Sequence, residues 1–195
     1  TDWVVVGSSP EEMIKKGFKQ VGKGFPVFLH PNTNEEYALA RKDRKTGVGH
    51  KNFKFNFSPK VTLEEDLERR DLTINSMAID ENDNLIDPFN GAGDIKNKCL
   101  RPVSDAFFED PLRALRVARF KSQLPEFYLH KTMEQALNKI SSSNELSFLS
   151  SERVWGEVSK SLEYDFQEFL QIIKTYNLDK PLSLIHISEP TRRRT

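Results

Sequence analysis

Over the first hundred positions the apolar residues fall in short runs; beyond them they take helical spacing. Val4-Val5-Val6-Gly7 predicts a buried strand. Ser8-Ser9-Pro10-Glu11-Glu12 has the form of a helix start, with a serine cap, proline in the first turn and acids at the positive end. Gly17 ends that helix. Val27 to His30 predicts a strand, Pro31 to Asn34 a turn, and Glu35 to Arg41 (EEYALAR) the returning strand. Thr62-Leu63-Glu64-Glu65 is a capping box that opens a helix to about Arg70. Thr73 to Asn75 enter another helix, Asn84 to Phe89 run as a strand into a turn at Asp87-Pro88, Asp94 begins a short helix, and Leu100 to Val103 close the mixed part. From about Asp105 the pattern is helical, with helices over His130 to Ile140, from Ser151, and over Tyr164 to Tyr176, and a polar loop at Ser141 to Asn144. The fold class is therefore α+β: a mixed β-sheet flanked by helices over 1–104, then an all-α segment over 105–181.

The stretch Glu109 to Phe120, EDPLRALRVARF, stands out. Pro111 suits the first turn of a helix. Arg113, Arg116 and Arg119 recur every third residue and form a slowly turning stripe. Leu112 and Phe120 share their arc, and Ala114, Leu115, Val117 and Ala118 cover the rest, so no face is purely polar. Such a helix is expected to be largely buried, and buried arginines require anionic or acceptor partners. Nearby carboxylates or a bound nucleotide both meet that requirement.

Lys42 to Asn56 changes character, with Gly47, Gly49, several lysines and Phe53 and Phe55. Two readings fit it: a mobile loop for triphosphate or a nucleic-acid strand, or an edge strand with Phe inward and Lys outward. Arg69 and Arg70 beside a helix start fit a phosphate site or an exposed Arg–Asp pair equally.

The 29 basic and 29 acidic residues balance, which excludes a protein that is basic over its whole surface but not a local basic cleft. Cys99 is the sole cysteine, so no intrachain disulfide forms; a reducing, cytoplasmic setting is expected, with Cys99 a small core residue. No apolar run reaches membrane-spanning length, no membrane partner is expected, and the four histidines lack metal-ligand spacing. Leu182 to Thr195 (LSLIHISEPTRRRT) has no amphipathic period and resembles the translation of a transposase adapter used for sequencing libraries. It is expected to be non-biological.

Four stretches occur in one order: D-W-V-V-V-G near the start, R-R-D-L-T-I-N at 69 to 75, E-D-P-L-R-A-L-R-V-A-R-F at 109 to 120, and S-E-R-V-W-G-E at 151 to 157. In that order they resemble the bacterial CCA-adding enzymes, tRNA nucleotidyltransferases of the class shared with bacterial poly(A) polymerases, over residues 2 to about 170. EEMIKKGFKQVGKGFPVFLHP and EEYALAR also resemble the CCA-adding members. The resemblance implies a nucleotidyltransferase head over 1–104, lacking its first strand, a helical neck and start of an RNA-binding region over 105–181, and transfer of CMP and AMP from CTP and ATP to the tRNA 3′ end without a template. The alternatives are a bacterial poly(A) polymerase and a non-catalytic nucleotide- or RNA-binding module.

Residue roles follow from the same resemblance. Asp2 matches the second aspartate of an Asp-x-Asp site for Mg2+ and would be both catalytic and metal-binding; the first aspartate would immediately precede Thr1, so the chain as given is expected to be inactive. Arg70 would bind triphosphate or ribose, and Asp71 and Asn75 would orient the site. Asp110 and Arg113 resemble the pair that reads the incoming base: cytosine and adenine each set an exocyclic amine beside a ring-nitrogen acceptor, which a carboxylate and a guanidinium complement. Arg116 and Arg119 match nucleotide-binding positions, and Arg153 with Glu157 would brace the reader helix. Asp43 stands where glutamate is common. Thr46 to Asn56 matches a loop used in switching from C to A.

Overall fold

The computed structural model describes residues 3–21, 27–45 and 53–182, with backbone alone at 43–45 and 53–56. Asp2, the segment 46–52 and the tail beyond Leu182 lie outside the described residues. The chain divides into two compact units, one formed by 1–46 with 53–69 and the other by 47–52 with 70–195. The division proposed at 104/105 on sequence grounds therefore falls inside the second unit.

In the first unit β1 (Trp3–Val5), β2 (Lys19–Val21), β3 (Val27–Leu29) and β4 (Glu36–Leu39) form a sheet of order β1-β4-β3-β2. β3 runs antiparallel to both β2 and β4, and β1 is parallel to β4 with Val4 opposite Ala38. The expected burial of β1 does not hold. Val4 and Val5 are only half-buried and Val6, just beyond the strand, is 46% exposed; β1 stands at the edge of the described sheet. β2 was not foreseen: Lys19-Gln20-Val21 has one apolar residue, and pairing with β3 decides its conformation. Met13, Phe28 and Leu39 form the core of this unit.

Its helices begin as their sequences dictate. The Ser9 hydroxyl accepts from Glu12 N and Glu12 returns a bond to Ser9 N, opening α1 (Pro10–Lys15). Gly17 follows with φ +88°, a left-handed conformation glycine adopts without steric cost. Thr62 and Glu65 cap α2 (Leu63–Glu68) in the same reciprocal way. β5 (Lys42–Lys45) and β6 (Phe53–Asn56) form an antiparallel pair, so the strand reading holds for the described ends of that basic, aromatic stretch.

The second unit is mostly helical. A single 3-10 turn at Thr73–Asn75 replaces the helix expected there. β7 (Ala78–Ile79) and β8 (Leu85–Ile86) pair antiparallel. α3 (Gly91–Lys96) starts three residues before Asp94, because Asp87 captures the first amides, Gly91 N at 2.7 Å and Ala92 N at 2.9 Å. β9 (Cys99–Leu100) then pairs in parallel with β10 (Tyr128–Leu129), beyond the next helix. Residues 100–103 accordingly join the helical unit instead of closing the mixed part, and Leu72 and Leu100 share the core of the helices.

After a 3-10 turn at Asp105–Glu109 come α4 (Leu112–Gln123), α5 (Lys131–Ser142), a 3-10 turn at Glu145–Phe148, α6 (Ser151–Ser161) and α7 (Phe166–Thr175). α4 packs against both α6 and α7. It is the buried centre of the unit: Leu112, Ala114, Leu115, Val117, Ala118, Arg119 and Ser122 are all buried. Cys99 is fully buried, as a small core residue should be. No described helix is long and apolar enough to cross a membrane.

Candidate functional site

The start of α4 is built around Asp110. Its backbone is extended (φ −124°, ψ 107°), and Pro111 already has helical dihedrals. Asp110 Oδ1 accepts from Leu112 N at 3.1 Å and so satisfies one of the open amides of the helix start. Asp110 Oδ2 accepts from Arg153 Nη2 on α6 at 2.6 Å. Both oxygens are thus fixed in place, yet each has a second lone pair. The two side chains keep 23% and 30% of their surface open, so the carboxylate is oriented without being sealed.

One turn on, Arg113 donates Nη1 to the Ala106 carbonyl at 2.6 Å. Burial lowers its pKa, and the charges of Asp71, Asp110 and Glu109 oppose that without cancelling it. The guanidinium is therefore short of water and rich in carboxylate neighbours, a setting in which a directed hydrogen bond is stronger than in solvent. The pair named from sequence is together and held.

Arg116 and Arg119 have protein partners. Arg116 Nε meets Asp71 Oδ2 at 2.6 Å and Arg116 Nη1 lies 3.7 Å from Glu157. Arg119 is buried. Its Nε donates to Glu157 Oε2 at 2.6 Å, its Nη1 to Gln123 Oε1 at 3.0 Å, and its guanidinium lies over the Phe120 ring at 4.2 Å. Nearby carboxylates, one of the two kinds of partner weighed for these arginines, engage both. Glu157 is 5% exposed and serves both, so it braces α4 from α6.

Asp71 ties the preceding segment to α4. It accepts from Leu72 N at 3.0 Å, Asn75 Nδ2 at 3.4 Å and Arg116 Nε. Burial pushes its carboxyl pKa up, but the Arg116 charge and the hydrogen bonds from Arg116 and Asn75 outweigh burial and hold it below the ordinary aspartate value. Arg70 donates Nη1 to the Asn75 carbonyl at 3.1 Å, so Arg70, Asp71 and Asn75 form one bonded turn. The turn rests on a further network in which Thr73 and Arg101 both donate to the buried Asp94.

Asp2 lies outside the described residues. Among the described residues no group of three or more His, Cys, Asp or Glu side chains is placed to hold a metal ion. The partners that sequence reasoning missed are mainly backbone atoms, the Ala106 carbonyl and Leu112 amide, which no residue letter announces. Arg153, 43 residues from Asp110, is visible as a brace but not as a partner of that particular carboxylate.

Residues 9–101 match the poly A polymerase head domain. The chain is 57% identical over 166 residues to the multifunctional CCA protein of Pseudoalteromonas atlantica, covering 84% of this chain and 41% of that one. It is 53% identical over 179 residues to the CCA-adding enzyme of Buchnera aphidicola, covering 90% and 43%. Among solved structures, an apo CCA-adding enzyme superposes with TM-score 0.77 at 26% identity over 93% of this chain and 45% of that one. The Bacillus stearothermophilus CCA-adding enzyme in complex with CTP superposes with TM-score 0.70 at 30% identity over 88% and 42%. The mixed sheet with its flanking helices is thus the nucleotidyltransferase head fold. Within that class the chain belongs to the bacterial CCA-adding family. It spans about two-fifths of the length of the curated relatives it matches.

Proposed function

We propose that this chain is the nucleotide-selecting part of an enzyme that adds CMP and AMP from CTP and ATP to the 3′ end of tRNA, acting in the cytoplasm with Mg2+. The reading rests on one observation above others: Asp110 and Arg113 stand three residues apart at the start of α4, each fixed by the protein on one side. Asp110 accepts from the exocyclic amine of cytosine or adenine, and Arg113 donates to the adjacent ring nitrogen. Uracil and guanine reverse that donor–acceptor order and leave buried polar groups unpaired, at a cost of about 1–3 kcal/mol per group.

Arg70 takes the triphosphate or ribose, and Asp71 and Asn75 orient it. Arg116 and Arg119 belong to the nucleotide site through the helix they hold: with Glu157 and Asp71 they keep α4 where the reader pair must stand. The head over 1–104 and the neck over 105–181 remain the functional division. Nucleotidyltransferases of this family generally use divalent metal ions, and Asp2 is the residue of this chain assigned to Mg2+ and to catalysis. When bound, such an ion lowers the pKa of the attacking hydroxyl and neutralises the leaving pyrophosphate. The names of the relatives favour CCA addition over poly(A) synthesis.

The test is equilibrium binding of CTP, ATP, UTP and GTP to this chain and to Asp110→Ala. Binding of CTP and ATP over UTP and GTP is expected, with the preference lost in the variant. Equal binding of all four by the parent chain would overturn the reading.

A further inference from the structure

An open cleft of about 520 Å³ lies in the second unit, with neither Asp110 nor Arg113 in its lining. One wall is the segment Arg101 to Asp105 with Phe108; the other is α5, through Thr132, Gln135, Ala136 and Lys139. Phe108 and Lys139 also border a smaller hollow of about 110 Å³, so they form the ridge between the two. The Lys139 ammonium sits 4.0 Å from the centre of the Phe108 ring. Nothing in the proposed reaction uses these residues.

From these features the geometry points to a groove for one unpaired nucleotide of an RNA strand, with the base on Phe108 and the phosphodiester on Lys139. This rests on the reading that the protein acts on tRNA. The floor is apolar and aromatic (Pro102, Val103, Phe108, Ala136), while Thr132 and Gln135 line the rim with groups that can donate and accept. That mixture suits a nucleobase, which has a stackable face and a polar edge. Lys139 is solvent-exposed, and the contact its ammonium makes is with the Phe108 ring. Its ammonium is strongly hydrated and on a flexible stem, so it can leave the ring face to a base and meet the attached phosphate instead.

Charge separates a strand from a free nucleotide. Arg101 engages Asp94 through Nε and Nη2, which largely neutralises it, and Asp105 adds a negative charge at the mouth. Among the described residues lining the cleft, Lys139 is then the one cation without a carboxylate on it, enough for a single phosphodiester and too little for a triphosphate. The α5 start offers no compensating site, since His130 Nδ1 already accepts from Thr132 N.

The experiment measures binding of a labelled, short, unpaired RNA oligonucleotide to this chain and to Lys139→Gln across a salt series, with CMP and AMP as free competitors. Thermal melts confirm that the exposed substitution leaves the fold intact. Loss of Lys139 is expected to weaken RNA binding and to lower the salt slope by about one, with CTP and ATP selection unchanged. Phe108→Leu, which keeps an apolar side chain on the core, is expected to weaken RNA binding with the salt slope kept. RNA binding that is absent, or equal in Lys139→Gln at every salt concentration, overturns the groove. So does displacement of the RNA by CMP or AMP at concentrations comparable to the oligonucleotide, which would assign the cleft to a free nucleotide. The nucleotide-selection measurement on the same parent chain shows whether the broader reading has failed or the groove alone.

Discussion

Glu157→Ala tests how α4 is held. Glu157 receives Arg119 Nε at 2.6 Å and lies 3.7 Å from Arg116 Nη1. The side chains of Arg119 and Glu157 are only 9% and 7% exposed, so solvent screening removes little of their interaction. Without the carboxylate, Arg119 retains neutral partners alone: Gln123 Oε1 and the Phe120 ring. Arg116 still has Asp71. One buried guanidinium is therefore uncompensated, and losing one member of a buried pair costs about 3–5 kcal/mol. Against a total stability of about 5–15 kcal/mol, that is a large fraction. The second unit contains Trp155 and the first contains Trp3, so urea unfolding followed by fluorescence in a Trp3→Phe background reports on the unit that matters. The midpoint is expected to fall by more than 1 M, given slopes of about 1–3 kcal/mol/M. Replacing both partners, Arg119→Met with Glu157→Leu, is expected to recover most of the loss, because no charge is then stranded. A Glu157→Ala midpoint within experimental scatter of the parent would falsify the buried ion pair. So would a double variant no better than the single.

Asp71→Asn probes the same clamp by pH. The folded pKa of Asp71 is depressed, so its contribution is complete above the unfolded value of about 3.9 and is lost as pH falls through the lower folded value. Urea midpoints taken at stepped pH below that value are expected to fall less steeply in Asp71→Asn than in the parent; parallel curves refute the assignment. Gly91→Ala is expected to destabilise the second unit by roughly 2 kcal/mol or more, since its new Cβ would lie 2.3 Å from the Thr73 carbonyl oxygen and 2.9 Å from Met77 Sδ; a neutral melt contradicts that packing. Thr62→Ala removes the acceptor for Glu65 N and is expected to cost about 1 kcal/mol in the first unit, read by Trp3 fluorescence in a Trp155→Phe background.

What was readable in advance divides by the range of the interaction. Capping boxes at Ser9 and Thr62 and the stop at Gly17 are local, and they stand where the letters put them. The burial of α4 was also readable, because apolar residues surround its arginines. The errors share another origin. Asp94 resembles a helix start, but the helix begins at Gly91, because Asp87 supplies the caps from four and five residues back. Residues 100–103 look like the end of a sheet, but Cys99 and Leu100 find their parallel partner across α4. In the site, Asp110 and Arg113 were identifiable through family resemblance, whereas their partners are an amide, a carbonyl and an arginine on α6. Such pairings arise only when distant segments pack.

The three arginines of α4 have different partners for a geometric reason. At about 100° per residue, three residues advance 300°, so each arginine is turned 60° from the one before. A stripe that begins facing one surface at Arg113 has rotated through 120° by Arg119. The described contacts follow that rotation: Arg113 reaches the Ala106 carbonyl before the helix, Arg116 bridges Asp71 and Glu157, and Arg119 is enclosed with Glu157. The same three-residue repeat that suggests a uniform binding face thus delivers the proposed reader at the helix start and anchors deeper in. Glu157 links the two anchors, so weakening it should loosen the helix that orients Asp110 without removing any group proposed to touch a base. In Glu157→Gln, which keeps an acceptor and loses the charge, the affinity gap between CTP and UTP should therefore narrow, while Asp110→Ala should abolish it. An unchanged gap in Glu157→Gln, measured where that variant remains folded, would show that the anchors stabilise α4 without tuning the reader.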